Sequence, residues 1–360
     1  MRNLNPSTDW FAFAKPRCGL SWASFFSLRF LLSGLGIFLA AAVAARAGDV
    51  ALLNVSYDVT REFYQEFNAA FAAVWKRESG DRLTVRQSHG GSSKQVRSVL
   101  DGLEADVVTM NQPLDVDMLH ERGQLIPKDW AARLPNRSVP YTSTILFAVR
   151  KGNPKSIRGW VDLIRGDVSV VIPNPKTSGN GRYSYLAAWG QALKQDGGTE
   201  TRAREYVQAL FARVPVLDSG GRGATTTFVQ RGIGDVLLTF ENEVELIRKE
   251  FGADAVDVVT PPVSILAESP VTWVDRNVAK HGTSVLAKAY LEHLFSTEGQ
   301  ELAAKHFFRP QDPAVLKLHA DRFRALSLFT VTDVFGSWAA AQQTHFRDGG
   351  EFDRIYERKR

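Results

Sequence analysis

Asn174-Pro-Lys-Thr-Ser-Gly-Asn-Gly-Arg-Tyr-Ser-Tyr-Leu-Ala-Ala-Trp-Gly190 follows an apolar run, Val168-Ser-Val-Val-Ile172, and leads into residues that read as helix. Pro173 and Pro175 stop the strand, because proline removes a ladder donor. Thr177 to Gly181 are small or hydroxylated, and Ser178 is placed to cap the helix, with the amides after it free of backbone partners. Such a helix start is a ready seat for an anion. Alone it is also an ordinary strand–loop–helix connection; its weight comes from similar junctions elsewhere in the chain.

Working outward, Ala51-Leu-Leu-Asn-Val-Ser56 reads as a buried strand running into Tyr57-Asp-Val-Thr60. A helix follows, with Phe63, Phe67, Ala70, Phe71 and Val74 on one face. Leu83-Thr-Val85 is a second strand, Gln87-Ser-His-Gly-Gly-Ser-Ser-Lys-Gln95 a junction, Val96 to Leu103 a helix and Ala105-Asp-Val-Val-Thr109 a third strand. The middle of the chain repeats the plan: strands at Thr144–Arg150, Val168–Ile172, Asp235–Thr239 and Val256–Val259, and helices through Leu193, over Thr201–Val214 and around Thr225–Gln230. Alternation with short connections predicts parallel pairing with helices on both faces, and ligands in such sheets bind beyond the carboxyl ends of the strands. The expected fold is α/β in two lobes, each a mostly parallel sheet flanked by helices with a ligand cleft between them. Residues 48–141 and 266–360 form the first lobe and the inserted residues 142–265 the second.

Of 360 residues, 44% are hydrophobic and 23% charged, an ordinary globular balance. The net charge of +5 is misleading, since Arg2, Lys15, Arg17, Arg29 and Arg46 stand against Asp9 alone in the first 47 residues. The 44 basic residues less these five, and the 39 acidic less this one, leave a net charge of +1. No basic stripe argues for nucleic acid. Residues 1–47 read as a signal peptide: basic residues to Arg29, the apolar run Phe30–Val43, then Ala45-Arg-Ala47 as a cleavage site. The expected location is the periplasm. The only cysteine, Cys18, lies in that segment, so the processed chain has no disulfide, thiolate nucleophile or sulfur metal ligand. The seven histidines show no metal-ligand spacing, and neither H-E-x-x-H nor G-x-S-x-G occurs. No catalytic residue, metal ligand or cofactor is expected, and His89, beside Gly90, is read as a loop-positioning residue.

Asp58-Val-Thr60, Gly90-Gly-Ser-Ser93 and Ser178-Gly-Asn-Gly181 each stand between strand and helix, and Gly220-Gly-Arg-Gly223 is a fourth backbone-exposing loop before a helix. None has Walker or dinucleotide spacing. Four such junctions on one face of two lobes are suited to converge on a single small anion.

The stretches Ser56-Tyr-Asp-Val-Thr-Arg-Glu62, Gln87-Ser-His-Gly-Gly-Ser92, Asn174–Asn180 with Tyr185-Leu-Ala-Ala-Trp-Gly190, and Asp218-Ser-Gly-Gly-Arg-Gly-Ala-Thr225 resemble the signatures of periplasmic sulfate- and thiosulfate-binding proteins. The resemblance covers nearly all the chain after about Leu52. It implies a type II periplasmic-binding-protein fold that acts as a monomer, with the permease and ATPase subunits of an ABC importer as partners. It also implies anion contacts from the amide of Asp58, the hydroxyls of Ser92 and Ser178, and the amides of Gly179, Asn180 and Gly221. Where the family's sulfate binders carry a tryptophan N–H, this chain has Phe240, which cannot donate; where they usually carry proline it has Val59. Phe240 and the run Phe240-Glu-Asn-Glu-Val-Glu-Leu-Ile-Arg-Lys249 lean toward the thiosulfate-binding branch. Arg182 and Arg222 are expected to brace loops rather than touch the ligand. The alternatives are a binder of molybdate or phosphate on the same fold and, more distantly, an exported sulfur-transferring enzyme.

Overall fold

The computed structural model describes residues 48–357; the expected signal peptide and Cys18 lie outside them. The first sheet contains β1 (Asp49–Tyr57), β2 (Arg82–Gly90), β3 (Val107–Thr109) and a returning strand, β9 (Val271–Trp273), in the order β2-β1-β3-β9. β1 runs parallel to β2 and β3, and β9 closes the edge antiparallel to β3. The register decides what this edge can do. Tyr57 pairs with Gly90, and Ser56 with both His89 and Thr109. Three carboxyl ends therefore lie level, and the residues after them (Asp58, Gly91-Ser92 and Met110-Asn111) leave the sheet side by side.

The second sheet is mixed. Its central strand, β4 (Tyr141–Val149), runs antiparallel to β6 (Val236–Phe240), to β7 (Asp257–Val259) and to β8 (Val263–Glu268). The pairs of β5 (Val170–Val171) with β6 and of β11 (Ser327–Phe329) with β8 are parallel, and β10 (Arg309–Pro310) joins β4 antiparallel. Topology gives the reason for the mixture. The chain enters this lobe along β4 and leaves along β8, so neighbouring strands carry it in opposite directions. They are paired where it crosses, Thr142 with Glu268 and Thr144 with Leu266. After Ser269-Pro270 the chain joins the first sheet as β9, with Tyr57 Oη and Ser269 Oγ 2.9 Å apart.

The helix Arg61–Ser79 buries Phe63, Tyr64, Phe67 and Phe71. Tyr290, on the helix Ser284–His293, sets its ring 5.2 Å from both Phe67 and Phe71. The stretch 266–360, placed as a whole in the first lobe by the sequence, touches both sheets. Its earlier helices cover the first, whereas its end straps the second: Arg204 Nε binds Glu351 at 2.6 Å, and the Trp189 and His345 rings lie 4.6 Å apart. Among the described residues no helix is long and apolar enough to cross a membrane.

Candidate anion-binding site

On the first lobe, Asp58 opens a 3-10 turn, Asp58–Thr60, ahead of the helix Arg61–Ser79. Burial raises its carboxyl above the usual range. Opposing this, the carboxylate accepts from the backbone amide of Arg222 and from those of Asp58 and Val59, beside the Arg222 guanidinium. Amides from both lobes thus already grip one anionic group, a property of exposed backbone donors at helix starts. Ser92 begins the helix Ser92–Leu100 behind Gly91 and is 1% exposed. Its Oγ accepts from the Asn111 amide at 3.3 Å. His89 bridges Ser56 Oγ and Gln87 Oε1, both at 2.7 Å. It lies in β2 rather than in a loop; burial, with Arg61 nearby, lowers its pKa to about 4, so it stays neutral near pH 7 and ties β2 to Ser56 of β1.

On the second lobe, Ser178 caps the helix Gly179–Lys194 and accepts from the Gly181 amide at 3.3 Å. The loop before it folds tightly: a Cβ on Gly181 would stand 2.3 Å from Pro173 O, so glycine is needed there. Asn180 Nδ2 donates to Thr239 Oγ1 at 2.8 Å, and its Oδ1 accepts from Ser184 at 3.2 Å. That side chain is spent on the scaffold, leaving the amide. Gly221 begins the helix Gly221–Thr225, whose last residue donates to Glu243 at 2.9 Å.

The two halves meet. A Cβ on Gly220 would lie 3.3 Å from Asp58 Oδ2, one on Gly221 would lie 3.3 Å from Asn180 Nδ2 and 3.7 Å from Val59, and one on Gly91 would lie 3.4 Å from Thr177 O. Asn242 Nδ2 reaches Val59 O at 3.2 Å. Asp58, Ser92, Ser178, Gly179, Asn180 and Gly221 are thus joined by a chain of contacts running through both lobes. Phe240 ends β6 one residue beyond Thr239, the partner of Asn180; it is buried, paired with Ile145, with its ring 5.7 Å from that of Tyr183.

The cations nearby are engaged elsewhere, as expected. Arg182 donates to Pro175 O at 3.0 Å and Gln112 Oε1 at 3.4 Å. Arg222 crosses to Glu62 at 2.9 Å and also faces Glu250 at 3.4 Å and Glu243 at 3.5 Å. Glu243 is fully buried, and burial pushes it up to about 7 although Arg222 pulls the other way.

Sequence reasoning missed Asn111, which is 5% exposed and lies against Gly179. The strand-end rule, applied to β3 as it was to β1 and β2, would have found it.

Residues 53–309 match the family described as bacterial extracellular solute-binding protein. The chain is 56% identical over 331 residues to a thiosulfate-binding protein of Pseudomonas aeruginosa, covering 92% of this chain and 98% of that one. It is 55% identical over 326 residues to a sulfate-binding protein of Salmonella typhimurium, covering 90% and 99%. Among solved structures, the sulfate-binding protein SubI from Mycobacterium tuberculosis superposes with a TM-score of 0.74 at 32% identity, over 83% of this chain and all of that one. A periplasmic thiamin-binding protein, at a TM-score of 0.62 and 17% identity over 85% and 96%, shares the fold. The chain belongs to the bacterial extracellular solute-binding proteins, with the two-lobed type II fold of that family.

Proposed function

We propose that the protein captures thiosulfate and sulfate outside the cytoplasm and delivers them to the permease and ATPase subunits of an ABC importer. The dehydrated dianion is held by the amides of Asp58, Gly179, Asn180 and Gly221 and the hydroxyls of Ser92 and Ser178. The observation that carries this reading is that three strand–helix junctions and the helix start at Gly221 meet in one buried patch, where the neighbouring arginines are held by protein partners. On entry the Asp58 amide passes from its own carboxylate to the ligand. Residues 1–47 act as the export signal, 48–141 with 266–360 and 142–265 make up the two lobes, β10, β11 and the end of 266–360 crossing to the second sheet, and the protein works as a monomer without catalysis.

Fixed dipoles suffice for such a ligand. Hydrogen bonds to a charged group contribute about 1.5–3 kcal/mol each, and helix-end dipoles about 0.3–1 kcal/mol. Several of them in a closed cleft offset dehydration without a counter-cation. The donors also select: at pH 7 sulfate and thiosulfate carry no proton, whereas phosphate keeps one, and burying it unpaired costs about 1–3 kcal/mol. A ligand bridging the lobes favours the closed state, the form a transporter recognises.

Titration calorimetry of the processed protein with thiosulfate, sulfate, phosphate and molybdate tests this. Thiosulfate is expected to bind at least as tightly as sulfate, and phosphate and molybdate weakly. Sulfate tighter by about tenfold, or about 1.4 kcal/mol, sinks the thiosulfate preference, and a winning phosphate or molybdate sinks the assignment. Phe240 supplies a second check. An apolar ring is tolerated beside thiosulfate's terminal sulfur but forfeits a bond to a sulfate oxygen. Phe240→Trp is therefore expected to raise the sulfate-to-thiosulfate affinity ratio by about threefold or more, a gain of about 0.7 kcal/mol. An unchanged ratio removes Phe240 from the site.

A further inference from the structure

Asn111 has a carboxamide oxygen that the fold leaves unanswered. It follows β3 at the level of Asp58 and Ser92, and its backbone N–H is fixed on Ser92 Oγ at 3.3 Å. Its side chain fills the space over Gly179: a Cβ there would stand 2.0 Å from Oδ1 and 2.4 Å from Nδ2. Oδ1 is buried without a hydrogen-bond partner. Buried carboxamides are ordinarily satisfied, and the exceptions concentrate where a ligand completes the set. A half-turn of the amide exchanges its oxygen and nitrogen, so the same side chain offers either a donor or an acceptor.

We propose that Asn111 is a specificity-determining residue of this site, its Nδ2 donating to the bound dianion from the first lobe, opposite Gly179. The proposal rests on the reading of the patch as a sulfur-oxyanion seat. It adds a side-chain N–H to a set of amides and hydroxyls and makes the first lobe's share of the grip depend on β3 as well as β1 and β2. The carboxamide oxygen then turns away from the ligand, since an unprotonated dianion repels an acceptor. An aspartate here presents only acceptors when ionised and regains a donor when protonated.

The test uses the processed full-length chain and its Asn111→Ala and Asn111→Asp variants, titrated with thiosulfate and sulfate from about pH 8 to about pH 5, with melting temperatures measured without ligand. Asn111→Ala is expected to weaken both anions by about tenfold or more, the scale of one hydrogen bond to a charged group, with little change in melting. Asn111→Asp is expected to lose about a hundredfold at pH 8 and to recover as the pH falls and its carboxyl protonates. Alanine binding within about threefold of the parent overturns the proposal, as does an aspartate loss that ignores pH. Should the aspartate variant fail to fold, Asn111→Ala decides alone. A parent that binds neither anion overturns the oxyanion reading itself, whatever the variants do.

Discussion

Gly179→Ala is expected to weaken thiosulfate binding by at least about a hundredfold while leaving the unliganded protein folded, measured by calorimetry and by thermal melting. The added methyl would sit 2.0 Å from Asn111 Oδ1 and 2.5 Å from its Cγ, across the boundary between the lobes. Overpacking a tight site costs about 1–3 kcal/mol, and a displaced amide forfeits a further bond of about 1.5–3 kcal/mol to the ligand. The clash exists only where the second lobe's helix start meets the first lobe's strand end, so closure suffers and each lobe keeps its core. The double variant Gly179→Ala with Asn111→Ala separates the two contributions. Relief of the clash should make it bind better than Gly179→Ala alone, a non-additivity expected of touching residues. Equal affinity of the single and double variants would show that Asn111 is not the obstacle.

Arg222→Met is expected to lower unfolding free energy by about 3–5 kcal/mol near pH 8, because removing one partner strands buried charge. The charge stranded is that of Glu243, fully buried, with Arg222 Nε at 3.5 Å and Thr225 Oγ1 at 2.9 Å. Glu243 sits near 7 in the folded protein against an ordinary 4.5, so the folded state holds this proton more tightly than the unfolded chain. Its contribution to stability therefore grows as pH falls from above 7 toward 4.5 and levels off below that. Without Arg222 its pKa rises further, so the variant should regain much of its lost stability on acidification through neutrality. Urea unfolding at several pH values reads this. A loss below about 1 kcal/mol, or a loss independent of pH, would mean that Arg222 does not neutralise Glu243.

What the sequence revealed about the site was mostly local chemistry. Ser178 behind two prolines announces a helix start, and the helix begins at Gly179 and ends one residue past the expected Leu193. His89, read as part of a loop, lies in β2 and joins Ser56 of β1 to Gln87. The parts that stayed hidden depend on distant partners. β2 extends through polar Arg86–His89, where no apolar alternation marks a strand, because all nine of its residues pair with β1. β8 continues to Glu268, where the segment from Leu266 read as the return to the first lobe, because its last residues pair with β4. Asn111 is within reach of the strand-end rule as the second residue after β3, but its contact with Gly179 depends on a partner far along the chain. Phe240 rests on the resemblance, while its strand, β6, is legible in the apolar run before it.

One tie noted in the fold reaches further than packing. The chain's end straps the second lobe, and Lys176, inside the loop that presents Ser178, binds Phe346 O at 3.1 Å, Asp348 at 3.0 Å and Asp353 at 3.0 Å. The loop is therefore fastened by residues made about 170 positions later. Every residue proposed to contact the anion precedes in sequence the clasp that holds this one loop. The shape of the Ser178 loop thus depends on the segment from Phe346 to Asp353 being folded in place.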